Sequence, residues 1–122
     1  MSDFIYTTNT LEILHKHNSK EVTKDVEFFS NPHKHTLDIK SFISMDLEEY
    51  IDNYILKKFV ESILAKVSFD IKEKSYKLLA EYIKDKILEK YPSHSIIIEI
   101  KEDNNNGYIF HYDESGLNVL FG

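Results

Sequence analysis

Between residues 47 and 67 the apolar positions Leu47, Tyr50, Ile51, Tyr54, Ile55, Phe59, Ile63, Leu64 and Val67 recur at spacings of three and four. That spacing sets them along one stripe of a 3.6-residue helix. Glu48, Glu49, Asp52, Lys57, Lys58, Glu61 and Lys66 fall on the other face. Asp46, followed three residues on by Glu49, has the form of a capping box, and acids in a first turn suit the helix dipole. The pattern breaks at Ser68-Phe69-Asp70 and restarts with Asp70 and Glu73 in the same relation. Ile71, Leu78, Leu79, Tyr82, Ile83, Ile87 and Tyr91 then recur on one face until Pro92 stops the helix. Residues 44–91 are therefore expected to form two amphipathic helices of about 20 residues each, set as an antiparallel or steeply angled pair by the short break.

After Pro92 the period changes to two. Ile96, Ile98 and Ile100 alternate with Ser95, Ile97, Glu99 and Lys101. Beyond Asp103-Asn104-Asn105-Asn106-Gly107, a second run alternates Tyr108, Phe110 and Tyr112 with Ile109, His111 and Asp113, which is a hairpin signal. A two-residue Asn106-Gly107 turn would set the Ile face against Asp113 and Ser115. An odd loop, with Gly107 as the left-handed residue of a bulge, sets Ile98 and Ile100 beside Phe110 and Tyr112. The odd loop is preferred because it buries four large side chains together. Ile97 and Ile109 leave the reverse face partly apolar.

Two strands alone are marginal in water, so more sheet is expected from residues 1–43. Phe4–Thr7, Leu11–His15, Val22–Phe29 and Leu37–Ile39 are the candidates, although Thr10 as a cap allows a short helix from Leu11 instead. The whole predicts an α+β domain over residues 1–122, with two long amphipathic helices on a small, mostly antiparallel sheet. Short strands and loops fill 1–43, the helical pair 44–91, and a β-hairpin with an apolar C-terminal segment 94–122.

Composition sharpens this reading. Apolar residues at 42% and charged residues at 30% are an ordinary globular balance. All 15 basic residues are Lys, and Arg, Gln, Cys and Trp are absent. With 15 Ile, this usage points to an AT-rich genome. It also removes the fork-shaped donor favoured for phosphate and base-edge recognition. A net charge of −6, with Lys interspersed among the acids, offers no basic stripe for nucleic acid. The longest apolar runs, such as Ile96-Ile97-Ile98, fall far short of the ~20 residues needed to cross a bilayer. Met1-Ser2-Asp3-Phe4 has no signal-peptide character, so the expected compartment is the cytoplasm.

Candidate chemistry is sparse. His15-Lys16-His17 and His33-Lys34-His35 repeat one motif, and residues i and i+2 of a strand share a side. Two such pairs could hold a Zn²⁺-like ion, with Glu12 or Asp38 as further ligands. Against this, His17 precedes Asn18-Ser19, His33 follows Asn31-Pro32, and Lys16 and Lys34 repel a cation. Polar strand ends are the favoured reading, with no resident metal or cofactor. Asp46, Glu48, Glu49 and Asp52, and again Glu99, Glu102 and Asp103, cluster acids where helix starts and solvated faces place them. No Ser sits in a nucleophile elbow, and three Gly cannot build a phosphate loop. A non-enzymatic role is expected.

Two features favour association with other protein subunits, self or hetero. Leu117-Asn118-Val119-Leu120-Phe121 is apolar, and either returns beside the hairpin or docks on a partner. Eight Tyr and eight Phe exceed what so small a core absorbs, and Tyr50, Tyr54, Tyr76, Tyr82, Tyr91, Tyr108 and Tyr112 are suited to interfaces. Leu117, Val119, Leu120, Phe121, Tyr108 and Tyr112 form the expected contact set. A helix closed by Tyr91-Pro92 and followed by a hairpin, over about residues 70–113, resembles the topology of small phage tail and baseplate proteins. The likeness implies an assembly role, in the cytoplasm of a host cell or in a virion. An acidic inhibitor of a host enzyme or nucleic-acid-binding protein is the rival expectation, and a His-dependent metal protein the third.

Overall fold

A computed structural model describes residues 3–15, 33–45, 50–67, 75–102 and 106–119; of 13–15 and 33–35 it describes the backbone. Strand β1 (Phe4–His15) pairs antiparallel with β2 (His33–Ser44) along its full length, from Phe4↔Ser44 to His15↔His33. The candidate strands Phe4–Thr7 and Leu11–His15 are thus one continuous strand, and no helix starts at Leu11. Leu37–Ile39 lies within β2, while Val22–Phe29 lies outside the described residues. Strand β3 (Ile96–Lys101) pairs antiparallel with β2, and β4 (Gly107–Tyr112) with β3, giving the order β1-β2-β3-β4.

Helix α1 (Asn53–Ala65) and helix α2 (Tyr76–Lys90) lie between β2 and β3 in the chain. Both pack on one face of the sheet, α1 against β1 and α2 against β3 and β4. The protein is α+β, two helices on a four-stranded antiparallel sheet. Its core joins Leu11, Leu37, Ile39, Ile43, Ile96, Ile98, Ile100 and Tyr112 of the sheet to Leu56, Val60, Ile63 and Leu64 of α1. Leu79, Ala80, Ile83 and Ile87 of α2, with Ile51 and Val67 on either side of α1, complete it.

Both helices start later than the capping patterns implied. Asp52 Oδ1 accepts from the Tyr54 and Ile55 amides at 2.8 and 3.1 Å, and Ser75 Oγ accepts from Leu78 N at 3.1 Å. Each satisfies orphan donors of a first turn. The expected boxes, Asp46 with Glu49 and Asp70 with Glu73, lie outside the described residues. The helices run 13 and 15 residues, shorter than the periodicity suggested.

The buried stripe of α1 is also turned. Leu56 and Val60 are inside, whereas Tyr50, Tyr54 and Ile55 are exposed, as is Leu78 of α2. Each step of four residues overshoots a full turn by about 40°, so Ile55 sits about 80° round from Ile63. A chain of apolar fours therefore drifts off the core. Ile51 is buried too, but in the segment that leads into the helix.

The hairpin has the odd-loop register, with Ile98 opposite Phe110 and Ile100 opposite Tyr108. Gly107 is not its left-handed residue. It pairs with Lys101 as a strand residue, and the positive-φ glycine among the described residues is Gly116. Gly107 is needed for space: a Cβ there would stand 2.5 Å from the Ile100 carbonyl oxygen.

Candidate interaction surface

Because both helices share one face, strand alternation decides what the other face shows. In β1 and β2 the odd positions Thr7, Asn9, Leu11, Leu37, Ile39, Ser41 and Ile43 are buried beneath the helices. Their even neighbours point away. The register then aligns Tyr6, Phe42, Ile97 and His111 in one row across all four strands. Thr8, Lys40, Glu99 and Ile109 form the next row, and Thr10, Asp38, Lys101 and Gly107 the third.

The face grades from apolar to polar along the strands. Tyr6 and Phe42 rings pack at 5.3 Å, and Lys40 Nζ lies 5.4 Å from the centre of the Tyr6 ring. Tyr6 is 52% exposed and Ile109 65%, while Phe42 and Ile97 are half-buried. In the polar rows Glu99 pairs with Lys101 at 3.7 Å, and Thr10 Oγ1 donates to Asp38 Oδ1 at 3.5 Å. Among the described residues, no helix covers this face.

A groove of about 360 Å³ opens at the same end of the sheet, on the helix side. Ile5, Met45, Tyr50, Ile51, Asp52, Asn53 and Tyr54 line it. Tyr50 is 86% exposed and Tyr54 67%. Apolar and aromatic surface is therefore gathered where β1 begins, on both sides of the sheet edge.

Comparison with models of known families gives no match, and none of the curated proteins matches the chain. Its function has to be read from its own surface.

The expected contact residues divide. Tyr108 and Leu117 are exposed and Val119 half-buried, whereas Leu120 and Phe121 lie outside the described residues. Tyr112 is a correction: it is fully buried beneath α2 and presents nothing to a partner. Burial, then Glu81 and Asp85, pushes its hydroxyl up to about 12, so it stays protonated and supplies no base. Tyr76, Tyr82 and Tyr91 pack half-buried against the core. The C-terminal segment turns back along β4, with Val119 N donating to His111 O at 2.8 Å and Asn118 bridging Tyr112.

Of the described acids, Asp52 caps α1, Glu99 lies beside Lys101 and Glu102 is half-buried at the end of β3; Asp46, Glu48, Glu49 and Asp103 lie outside the described residues. Among the described side chains, no three His, Asp or Glu gather for a metal. The repeated His motifs meet in the backbone register: His15 is the Cα partner of His33, and Ile13 that of His35. His17 lies outside the described residues. Glu12 and Asp38 belong to the even, opposite face and are not placed to join them.

Sequence reasoning missed the Tyr6–Phe42 part of the row, because which even positions align depends on register and not on local pattern. It also missed His94, which is buried and hydrogen-bonds through Nδ1 to Ser44 O at 2.7 Å. His94 ties the end of β2 to the segment entering β3.

Proposed function

We propose that this chain is a non-enzymatic assembly protein that works by protein–protein contact, a small structural subunit of tail, baseplate or connector type from a phage or mobile element. The observation that carries the reading is the apolar row Tyr6–Phe42–Ile97, with Ile109 beside it, on the helix-free face of the sheet. Rows of this kind, half aromatic and rimmed by Lys40, Glu99 and Lys101, have the composition of an interface centre with a polar rim. The tyrosine-edged groove at the same end extends the apolar surface. AT-rich residue usage and the helix-then-hairpin topology support the phage or mobile-element source. The partners are other protein subunits, self or hetero. A chain with no Arg and a charge of −6 is poorly suited to grip nucleic acid directly, and no described helix is long and apolar enough to cross a membrane.

Native mass spectrometry of the full chain, alone and captured with its cellular partners, tests the proposal. The expected result is a defined multimer or stoichiometric subunit complex that persists from low to high salt, as apolar contacts do. Replacing Tyr6 and Ile109 together by Ser should weaken that association at least about tenfold with little change in Tm. A chain that stays monomeric, and whose double variant copurifies with the same proteins as the wild type, would overturn it. Association that collapses with salt would transfer the reading to an acidic inhibitor.

A further inference from the structure

The charges on the helix-free face of the sheet follow a pattern that the register makes visible. In the second row Lys40 of β2 stands beside Glu99 of β3, and in the third Asp38 of β2 stands beside Lys101 of β3. The signs are therefore exchanged between the two central strands from one row to the next. The three rows carry two Lys and two acids and are neutral, in a chain whose net charge is −6.

Two symmetric ways of laying a copy of this sheet on itself keep the strands aligned. A two-fold axis across the strands, through the middle row, sets Lys40 over the partner's Lys40, Glu99 over the partner's Glu99 and Phe42 over the partner's Asp38. A two-fold axis along the strands, between β2 and β3, exchanges those two strands and keeps each row in place. Phe42 then lies over the partner's Ile97, Lys40 over the partner's Glu99, and Asp38 over the partner's Lys101. Ile109 falls over the partner's Thr8. With this second axis every central contact is apolar on apolar or opposite in sign. Packed sheets hold their strands within about 30° of each other, so the register is kept at the centre despite the twist. A closed two-fold contact has to be self-complementary, and this face is.

We infer, resting on the assembly reading, that the partner on the helix-free face is a second copy of this chain, docked sheet on sheet about a two-fold axis parallel to the strands. Phe42 and Ile97, both half-buried in the single chain, supply the apolar centre. The pairs of Lys and acid fix the register more than the affinity. Lys40 is available for this: among the described residues it has no ion pair, and its Nζ lies 5.4 Å from the centre of the Tyr6 ring. Four strands at about 4.8 Å spacing make a narrow face, so a dissociation constant on the order of micromolar is expected.

Sedimentation equilibrium of the untagged full chain tests this by charge exchange. The wild type is expected to dimerise. Lys40→Glu and Glu99→Lys each set like charges face to face twice across the two-fold, and each alone should weaken the dimer about tenfold or more. An equimolar mixture of the two should regain the wild-type association, because each variant then meets the opposite sign on the other. No change within one chain can produce that rescue. Asp38→Lys and Lys101→Glu, at more exposed positions, repeat the exchange if circular dichroism shows that either of the first two does not fold. A mixture that associates no better than its separate components overturns the inference. So does a wild-type chain that remains monomeric at about 1 mM; whether that chain captures other subunits then decides the assembly reading separately.

Discussion

The Tyr112 hydroxyl is buried and has no hydrogen-bond partner among the described residues, with Lys84 Nζ 5.0 Å from the centre of its ring. An unpaired buried hydroxyl carries a desolvation cost that a phenyl ring of the same shape avoids. Burial raises its pKa to about 12, against an ordinary value of 10.0. A raised folded value means that the folded chain holds this proton longer than the unfolded chain does. The contribution to stability is complete below pH 10 and is lost as pH climbs from 10 towards 12. Tyr112→Phe should therefore be as stable as the wild type or more so at neutral pH, and should lose part of the alkaline decline. Urea midpoints at about pH 9 and about pH 11 check this. A variant that declines in step with the wild type would show that other groups control the alkaline limb.

At the level of elements, the caps decide where helices begin more than the apolar stripe does. Asp52→Ala should destabilise the protein by about 1 kcal/mol, and Ser75→Ala by about as much, read as a fall in the denaturant midpoint with unchanged slope. A loss confined to noise in both would place the helix starts elsewhere. The alternations were readable: Ile96, Ile98 and Ile100 fall inside, and the parity of the β3–β4 loop followed from matching apolar faces. The two helices and the α+β class were readable for the same reason, since burial imposes its period on sequence. The phase of α1 was not, because Tyr54 and Ile55 supply apolar positions at helical spacing without facing the core. Nor was the length of β1, whose centre, Thr7 to Thr10, is polar. Asn9 is buried there nonetheless, its Nδ2 donating to the Lys57 carbonyl at 3.2 Å. The interaction row was illegible for a third reason: alignment across strands is a long-range property, and Tyr6, Phe42, Ile97 and His111 are scattered along the chain.

Taken as a whole molecule, the sheet has unlike edges. Residues 117–119 turn back on β4, whereas among the described residues no strand pairs with the outer side of the 12-residue β1, which carries the charged Glu12 but no Lys or Pro. Removing residues 117–122 should bare β4 as well, lowering Tm by several degrees and promoting association in size-exclusion chromatography. Unchanged melting and elution would show that the segment contributes nothing. The opposite ends of the long β1–β2 ladder carry different chemistry, aromatic where Tyr6 and Phe42 sit and imidazole-bearing where His15 meets His33.

The β2–β3 ladder has a kinetic consequence. The β1–β2 and β3–β4 pairs each join nearer parts of the chain, but the seam between them joins positions more than fifty residues apart, as Ile43 and Ile96 are. Closing so long a path costs the most loop entropy, so this seam is expected to form late. If the seam closes last, Ile39, Ile43, Ile96 and Ile100 stay uncovered along it until then. Its two edges are those through which a newly made chain is most exposed to pairing with the wrong neighbour.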